Sequence, residues 1–459
     1  MAVFRINKNL CAFSPSGFYF AHALQQELTV RNSKTLKSTQ TFIFSNIIEL
    51  IEWSPNGQYI FCANVKEAIV QIFSIQNPEW KCKLTAGSAG LEKITWVPDG
   101  KSLLITSDLN IHISIWTLAD QNIVNIWNLK SSAANIALNG FRGRLAVVVT
   151  ADGVDNVEIY KMDNWKLSRK LMCDKLYSID GIRWSNNGEL LAIWCATIGK
   201  SRLLIYSVVT DAHIGAFSGQ DNVDNQSMAT LKIGGFSREF IRGIEKIVFS
   251  PSGQLIAVAG YNETIVIINH ITWSIILQLY CSPVIKEEHY LSRAFKEVNV
   301  DKKNSRNHSE SRLIAEQNQR YLLDEINERP INIVIDAKQN NYEICIAAVD
   351  ILEFSPCGKF LAIKHQLYPS TLWIWDLMSD SLDYILLKNS ISGISWEPTK
   401  TRLLIFSESS IIVEWRTGHN PSYFESPQGM TVINGKWHPD GEIVALYGYN
   451  KTSVIRLKD

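Results

Sequence analysis

One short pattern governs what this chain can fold into: an aromatic residue, then x-Pro-x-Gly, then an apolar run. It occurs at Phe13-Ser14-Pro15-Ser16-Gly17, Trp53-Ser54-Pro55-Asn56-Gly57, Trp96-Val97-Pro98-Asp99-Gly100 and Phe249-Ser250-Pro251-Ser252-Gly253. It returns at Phe354-Ser355-Pro356-Cys357-Gly358 and Trp437-His438-Pro439-Asp440-Gly441. Two worn copies lack one signature residue each: Trp184-Ser185-Asn186-Asn187-Gly188 has no Pro, and Trp396-Glu397-Pro398-Thr399-Lys400 has no Gly. A ninth unit near Leu138-Asn139-Gly140-Phe141 is inferred from spacing. Pro presets φ for a turn and Gly tolerates the positive φ of a chain reversal, so each copy reads as a hairpin.

The spacing of the hairpins sets the architecture. Aromatics at 13, 53 and 96 lie 40 and 43 residues apart, and those at 354, 396 and 437 lie 42 and 41 apart. A period of ~40–45 residues carrying four strands is that of a propeller blade. In the Phe354 unit the four strands read as Val349–Phe354, Phe360–Lys364, Leu372–Asp376 and Leu382–Leu387. Helical periodicity is weak, which argues against a helical solenoid. The reading is all-β: a single WD40-type β-propeller over 1–459, of seven to nine blades with nine the best count. The final unit runs out at its third strand, Ser453–Leu457, so Val3–Ile6 is expected to supply the fourth and pin the termini together.

Two intervals break the rhythm. From Trp184 to Phe249 is 65 residues, with the excess at about 219–242, and from Phe249 to Phe354 is 105, with the excess at about 286–341. The second is long and polar and reads as an inserted loop. Within it Ser311–Arg329 has helical spacing, with Leu313, Ile314, Leu322, Leu323 and Ile326 partly on one face. The segment reads either as a solvated linker or as a partner-docking helix, since insertions in repeat proteins often land on a binding face.

Chemistry is sparse. Lys+Arg and Asp+Glu both number 45, so the chain lacks the basic field of a nucleic-acid binder. Gly199-Lys200-Ser201 mimics the end of a phosphate-binding loop. However, Trp194 stands where the first Gly belongs, and Arg202–Tyr206 reads as a strand rather than a helix. There is no Gly-x-Ser-x-Gly elbow, no His-x-His pair and no His-Glu-x-x-His, and Glu287-Glu288-His289 sits in the polar insert. None of the eight Cys forms a CxxC pair, which fits reduced, buried thiols. No signal peptide and no run of ~18 apolar residues is present. The expectation is a soluble intracellular protein that is not an enzyme, with no cofactor, no metal, no nucleic acid, no membrane and no small-molecule substrate.

One block is more specific than the repeat. Gln76-Asn77-Pro78-Glu79-Trp80-Lys81-Cys82-Lys83, followed by Gly87-Ser88-Ala89-Gly90-Leu91, resembles a hallmark of the WD repeat-containing protein 8 family. Ile268-Asn269-His270-Ile271-Thr272-Trp273 and the Trp437 turn are similar to that family too, and the resemblance runs over nearly the whole chain. It implies a role at the centrosome, spindle pole or centriolar satellite. The implied partner is a coiled-coil microtubule-anchoring protein of the Msd or SSX-interacting type, with a minus-end-directed kinesin. Together these tether microtubule minus ends in spindle assembly and ciliogenesis.

The chain departs from well-formed WD blades, because the Trp-Asp dipeptide survives only at Trp375-Asp376. Aromatic packing is therefore expected to replace the usual polar network. Partner contact is expected at Trp80, Lys81, Lys83, Ser88 and Leu91, with Trp80 as anchor; the alternative role for Trp80 is packing between blades. The rival function is a translation-initiation-type propeller, which shares degenerate Phe-Ser-Pro-x-Gly repeats. Such proteins usually append helical or RNA-binding tails, and the expectation from this sequence is that none follows the last blade.

Overall fold

The computed structural model describes the chain except at residues 1, 88–89, 108–110, 120–121, 131–132, 174, 177, 198–200, 219–242, 287–291, 300–320, 336–346 and 458–459. Nine four-stranded antiparallel units follow one another along the chain, eight of them built on consecutive strands and the last on three consecutive strands plus one from the N-terminal end. The first strands of neighbouring sheets lie against one another, which makes them the inner wall of a ring. The fold is a nine-bladed β-propeller, the upper end of the expected range. The unit inferred from spacing is a true blade, with Ile136–Asn139 and Arg144–Ala151 as its first hairpin.

The ring closes as the sequence suggests. Ala2–Arg5 pairs antiparallel with Lys451–Arg456, giving the ninth blade its outer strand from the opposite end of the chain. Phe4 in that strand stacks on His22 at 5.1 Å, and the Arg31 guanidinium lies 4.3 Å from the centre of its ring. Blade one thus grips the closing strand from the side. Closure covers the edge that Lys451–Arg456 would otherwise expose.

The repeated aromatic does more than end a strand. The indole N–H groups of Trp53, Trp96, Trp184 and Trp437 donate to the carbonyls of Ala12, Glu52, Ala137 and Ser395, at 3.2, 3.1, 3.0 and 3.0 Å. Each acceptor belongs to the inner strand of the preceding blade, so the same bond ties four blade pairs. The serine after the aromatic is equally regular. Ser14, Ser54, Ser185, Ser250 and Ser355 each accept from the backbone N–H five residues on, at 2.9–3.1 Å. This locks the hairpin from inside. The turn glycine also serves the packing: at Gly17 (φ +76°) an added Cβ would lie 2.4 Å from the His438 ring of blade nine.

Aromatic contacts link the blades as expected. Tyr19 stacks on Trp53 at 6.1 Å, Phe42 on Phe73 at 4.7 Å, and Phe360 meets Trp415 edge-on at 5.1 Å. A buried ionic cluster reinforces the boundary between blades eight and nine. Arg402 pairs with Glu397 and, at 3.3 Å, with Glu414, while its guanidinium covers Trp437 at 5.0 Å.

The long insert corrects one expectation. Its described part holds strands, and the C-terminal portion of the expected 311–329 helix is a strand at Tyr321–Glu325, while 311–320 lie outside the described residues. Ser292–Asn299 adds parallel to Ser381–Leu386, the outer strand of blade seven, and Tyr321–Glu325 pairs antiparallel beyond it. Blade seven therefore has six strands. Val284–Ile285 and Ile331–Asn332 make a small separate ladder. The apolar spacing that suggested a helix is overridden by tertiary pairing. Leu323 packs on the core shared by blades seven and eight, and Phe295 is fully buried in it. Arg293 fixes the added strand with two bonds to Asp383, at 2.9 and 2.6 Å, and the Trp415 indole of blade eight donates to the same carboxylate at 2.8 Å. Leu313, Ile314 and the 219–242 insert lie outside the described residues.

Candidate protein-interaction face

Four antiparallel strands per blade sort the connections onto two faces. The Pro-Gly turns lie on one, here the turn face. The links from each outer strand to the next inner strand lie on the other, here the loop face. The link from Lys81–Thr85 to Lys93–Trp96, which holds Gly87 and Leu91, is of the second kind and so lies on the loop face.

That face carries an arc of exposed apolar side chains. Leu24, Ile43, Ile47 and Leu50 cluster where blades one and two meet, and Ile111 and Trp127 follow on blade three. Trp127 is 55% exposed and rests flat on His112 at 4.6 Å, which holds a large ring ready in solvent. Single exposed apolar residues are normal on a surface, and Phe18, Phe141, Ile271 and Met378 are exposed on the turn face as well; grouped apolar side chains are what mark a docking area. Sequence reasoning missed these residues because each looks like an ordinary strand end. The signal was their position beside the outer-to-inner links.

Beside the arc, blades four and five are joined by a charged knot. Lys130 Nζ donates to Asp155 Oδ2 at 2.6 Å and to the Ile179 carbonyl at 2.7 Å. Burial alone would raise the Asp155 carboxyl, but the Lys130 bond, the Ile179 N–H and the Thr150 hydroxyl together hold it below the usual range. Asp180 accepts from the Ala196 N–H at 2.7 Å. These carboxylates fix loop positions.

On several inner strands the residue before the terminal aromatic is polar, as at Glu52, Arg183 and Lys436, while Ala12, Leu138 and Val248 at the same register pack on the cores. Glu52 accepts from Thr95 Oγ1 at 3.2 Å, Lys436 Nζ donates to the Cys11 carbonyl at 2.8 Å, and Arg183 donates to the Ile247 carbonyl at 2.8 Å. Burial raises the Glu52 and Glu353 carboxyls and lowers Lys246 and Arg183 from their ordinary values. Among the described residues no three His, Cys, Asp or Glu side chains are grouped to hold a metal, and no helix is long and apolar enough to cross a membrane.

Of the residues expected to contact a partner, the four described ones divide between surface and core. Lys81 and Lys83 project from Lys81–Thr85, the outer strand of blade two, and are exposed. Trp80 is half-buried against Tyr59 at 5.2 Å, within the apolar layer between blades two and three. Leu91 is 1% exposed and belongs to that same layer. Its accessible role is corrected by the packing: the link turns inward there to begin blade three. Ser88 lies outside the described residues. Gly87 has φ +65° and nothing close to it, so the link turns sharply in open space.

No family model matches the chain. It is 27% identical over 452 residues to the WD repeat-containing protein WRAP73 of Mus musculus, covering 96% of this chain and 92% of that protein. Similarity to a WD-repeat protein over nearly the whole chain agrees with the propeller fold. A second relative, an uncharacterized WD repeat-containing protein of Schizosaccharomyces pombe, is 21% identical over 417 residues, covering 87% of this chain and 76% of that one. Among solved structures, a crystal structure of the eukaryotic initiation factor superposes with a TM-score of 0.56 at 11% identity, covering 91% of this chain and 88% of that one. The likeness to the initiation factor is one of fold. Both relatives carry WD repeats in their names, and neither name denotes an enzyme.

Proposed function

We propose that this propeller is a non-catalytic scaffold at the centrosome or spindle pole. Through its loop face it binds a coiled-coil microtubule-anchoring protein of the Msd or SSX-interacting type, and with a minus-end-directed kinesin it helps tether microtubule minus ends. In ciliated cells the same assembly serves ciliogenesis. The observation that carries the binding role is the set of exposed loop-face side chains Leu24, Ile43, Ile47, Leu50, Ile111 and Trp127 on blades one to three. An apolar helical face needs such a surface, and aromatic side chains are preferred anchors there. The cellular assignment is supported by the Gln76–Leu91 block and by near-full-length similarity to WRAP73.

The test is to tag the protein, image it through mitosis and identify what co-purifies. Spindle-pole signal with a coiled-coil partner is expected, and the partner should be lost when Ile47→Asp and Trp127→Ala are combined. Diffuse signal with ribosomal proteins would replace this reading with the translation-initiation one.

A further inference from the structure

The outer edge of a blade can accept a further strand, and blade seven shows it. Ser292–Asn299 adds parallel to Ser381–Leu386, from Ser292 beside Leu382 to Lys296 beside Leu386, and the addition buries Ala294 and Phe295 completely. An unpaired edge invites such pairing from any extended segment, and proteins blunt their edges with charge, proline, short strands or bulges. The outer strands of blades one, four, five and six each have a step in register against their neighbour. That of blade two carries Lys81 and Lys83. Blade eight's is four residues long between Pro421 and Pro427, and blade nine's is four residues ending in Arg5.

Blade three has none of these guards. Its outer strand, Ile123–Trp127, pairs with His112–Thr117 in unbroken register, and Asn122–Leu129 holds no ionisable side chain and no proline. The Thr117 N–H donates to the Asn122 carbonyl at 3.0 Å, which fixes the phase of the ladder. Val124 and Ile126 therefore bond inward, and the backbone groups of Ile123, Asn125 and Trp127 point outward. Asn122 Oδ1 takes the Ile123 N–H at 3.1 Å. Among the described residues the Asn125 and Trp127 amides and the three outward carbonyls have no protein partner. The side chains suit an apolar guest. Ile123 and Trp127 are 43% and 55% exposed on one side of the edge, and Val124 is half-buried on the other. Trp80, Cys82 and Trp116 lie in the apolar layer shared with blade two.

We propose that Ile123–Trp127 is a docking edge, on which an extended, uncharged segment of a partner protein, rich in Val, Ile and Phe, adds as a fifth strand of blade three. Main-chain bonds supply the affinity and alternate side chains the selectivity. Charge decides the chemistry of the occupant: a Lys, Asp or Glu in the added strand would lie beside Ile123, Val124 or Trp127 with no counter-charge on the edge. Area decides against a second copy, because a five-residue strand buries far less than the ~1,200 Å² of a stable homodimer. Docking at this edge holds whether or not the protein sits at a spindle pole.

The probe is a phage-displayed random dodecapeptide library panned on the full-length protein. Recovered peptides are then resynthesised with a fluorescein label and measured by anisotropy. Enriched peptides should share an uncharged run of Val, Ile or Phe. Asn125→Pro removes one outward N–H and leaves the bonds to His112–Thr117 intact, and Ile123→Lys sets a charge on the edge. Each variant, melting as wild type does, should bind about tenfold more weakly or worse. Where Asn125→Pro melts lower, Ile123→Lys and the peptide backbone carry the test. N-methylation of alternate residues in the peptide run should abolish binding in one phase and spare it in the other, which docking through side chains alone does not produce. Equal binding to wild type and Ile123→Lys, or equal binding of the two methylated forms, would overturn the proposal. So would failure to enrich any uncharged run. A homodimer in sedimentation that Ile123→Lys dissociates would also overturn it, by giving the edge to a second copy.

Discussion

Protonating His22 should loosen the ring, and the size of the effect follows from its surroundings. The His22 ring is buried, accepts from Arg31 Nε at 2.9 Å through Nε2, and stacks on Phe4 of the closing strand. Burial, and then the Arg31 charge, lower its pKa from 6.5 to about 4. The folded-state value lies below the unfolded one, so the unfolded chain binds more protons between those limits. The stability tied to a neutral His22 is therefore complete above about pH 6.5 and is lost progressively as pH falls toward 4. A shift of that size corresponds to about 3 kcal/mol. His365, fully buried and also lowered to about 4 by burial, adds a parallel contribution from blade seven.

The assay is urea unfolding from pH 7.5 to 4.5 for wild type and His22→Gln, whose amide oxygen keeps an acceptor for Arg31. Asp155, Asp376 and Asp440, all held low, titrate below that range. Glu52 and Glu353, raised by burial, shift stability the opposite way but equally in both proteins, and so cancel in the difference. Wild type should lose about 2–3 kcal/mol more than the variant across the scan. Parallel curves would show that His22 is not held neutral by the closing strand and Arg31.

Three further outcomes follow. Deleting residues 2–7 removes the outer strand of blade nine and the buried Ile6, and the melting temperature should fall by well over 5 °C; an unchanged melt would refute ring closure by the N-terminal strand. Arg402→Ala strands the buried Glu397, 1% exposed, while Glu414 keeps its pair with Arg416, and should cost about 3–5 kcal/mol in urea denaturation; a loss below 1 kcal/mol would mean the cluster is solvated. Arg293→Ala breaks the double bond to Asp383 that holds the inserted strand, so trypsin should cut at Lys296 many times faster while the ring's melting temperature changes little; an unaltered digestion rate would count against that clamp.

The ring was legible in the sequence because each blade repeats the same local chemistry. A Pro-Gly turn, a buried serine and an indole reaching the previous blade recur about every 40 residues, so local signals and tertiary contacts coincide. Even the worn Leu138 unit kept its spacing and its hairpin. The insert was not legible for the opposite reason. Ser292–Asn299 and Tyr321–Glu325 take their conformation from an outer strand about 90 residues further on, anchored through Arg293 and Asp383. No periodicity within the segment announces such pairing. The candidate site was only half visible. The Trp80–Leu91 block drew attention by its unusual composition, yet Trp80 and Leu91 are spent on packing between blades. The exposed arc depends on which strand ends share a face, and that is known only once the ring is assembled.

Hydrogen–deuterium exchange on the propeller, alone and in its purified partner complex, addresses capture by the loop face most directly. The account predicts slowed exchange in peptides spanning 24–50 and 111–127, with the Pro-Gly turns of the opposite face unchanged. Protection confined to the turns around Gly17, Gly57 and Gly358, with 24–50 and 111–127 unaltered, would contradict it.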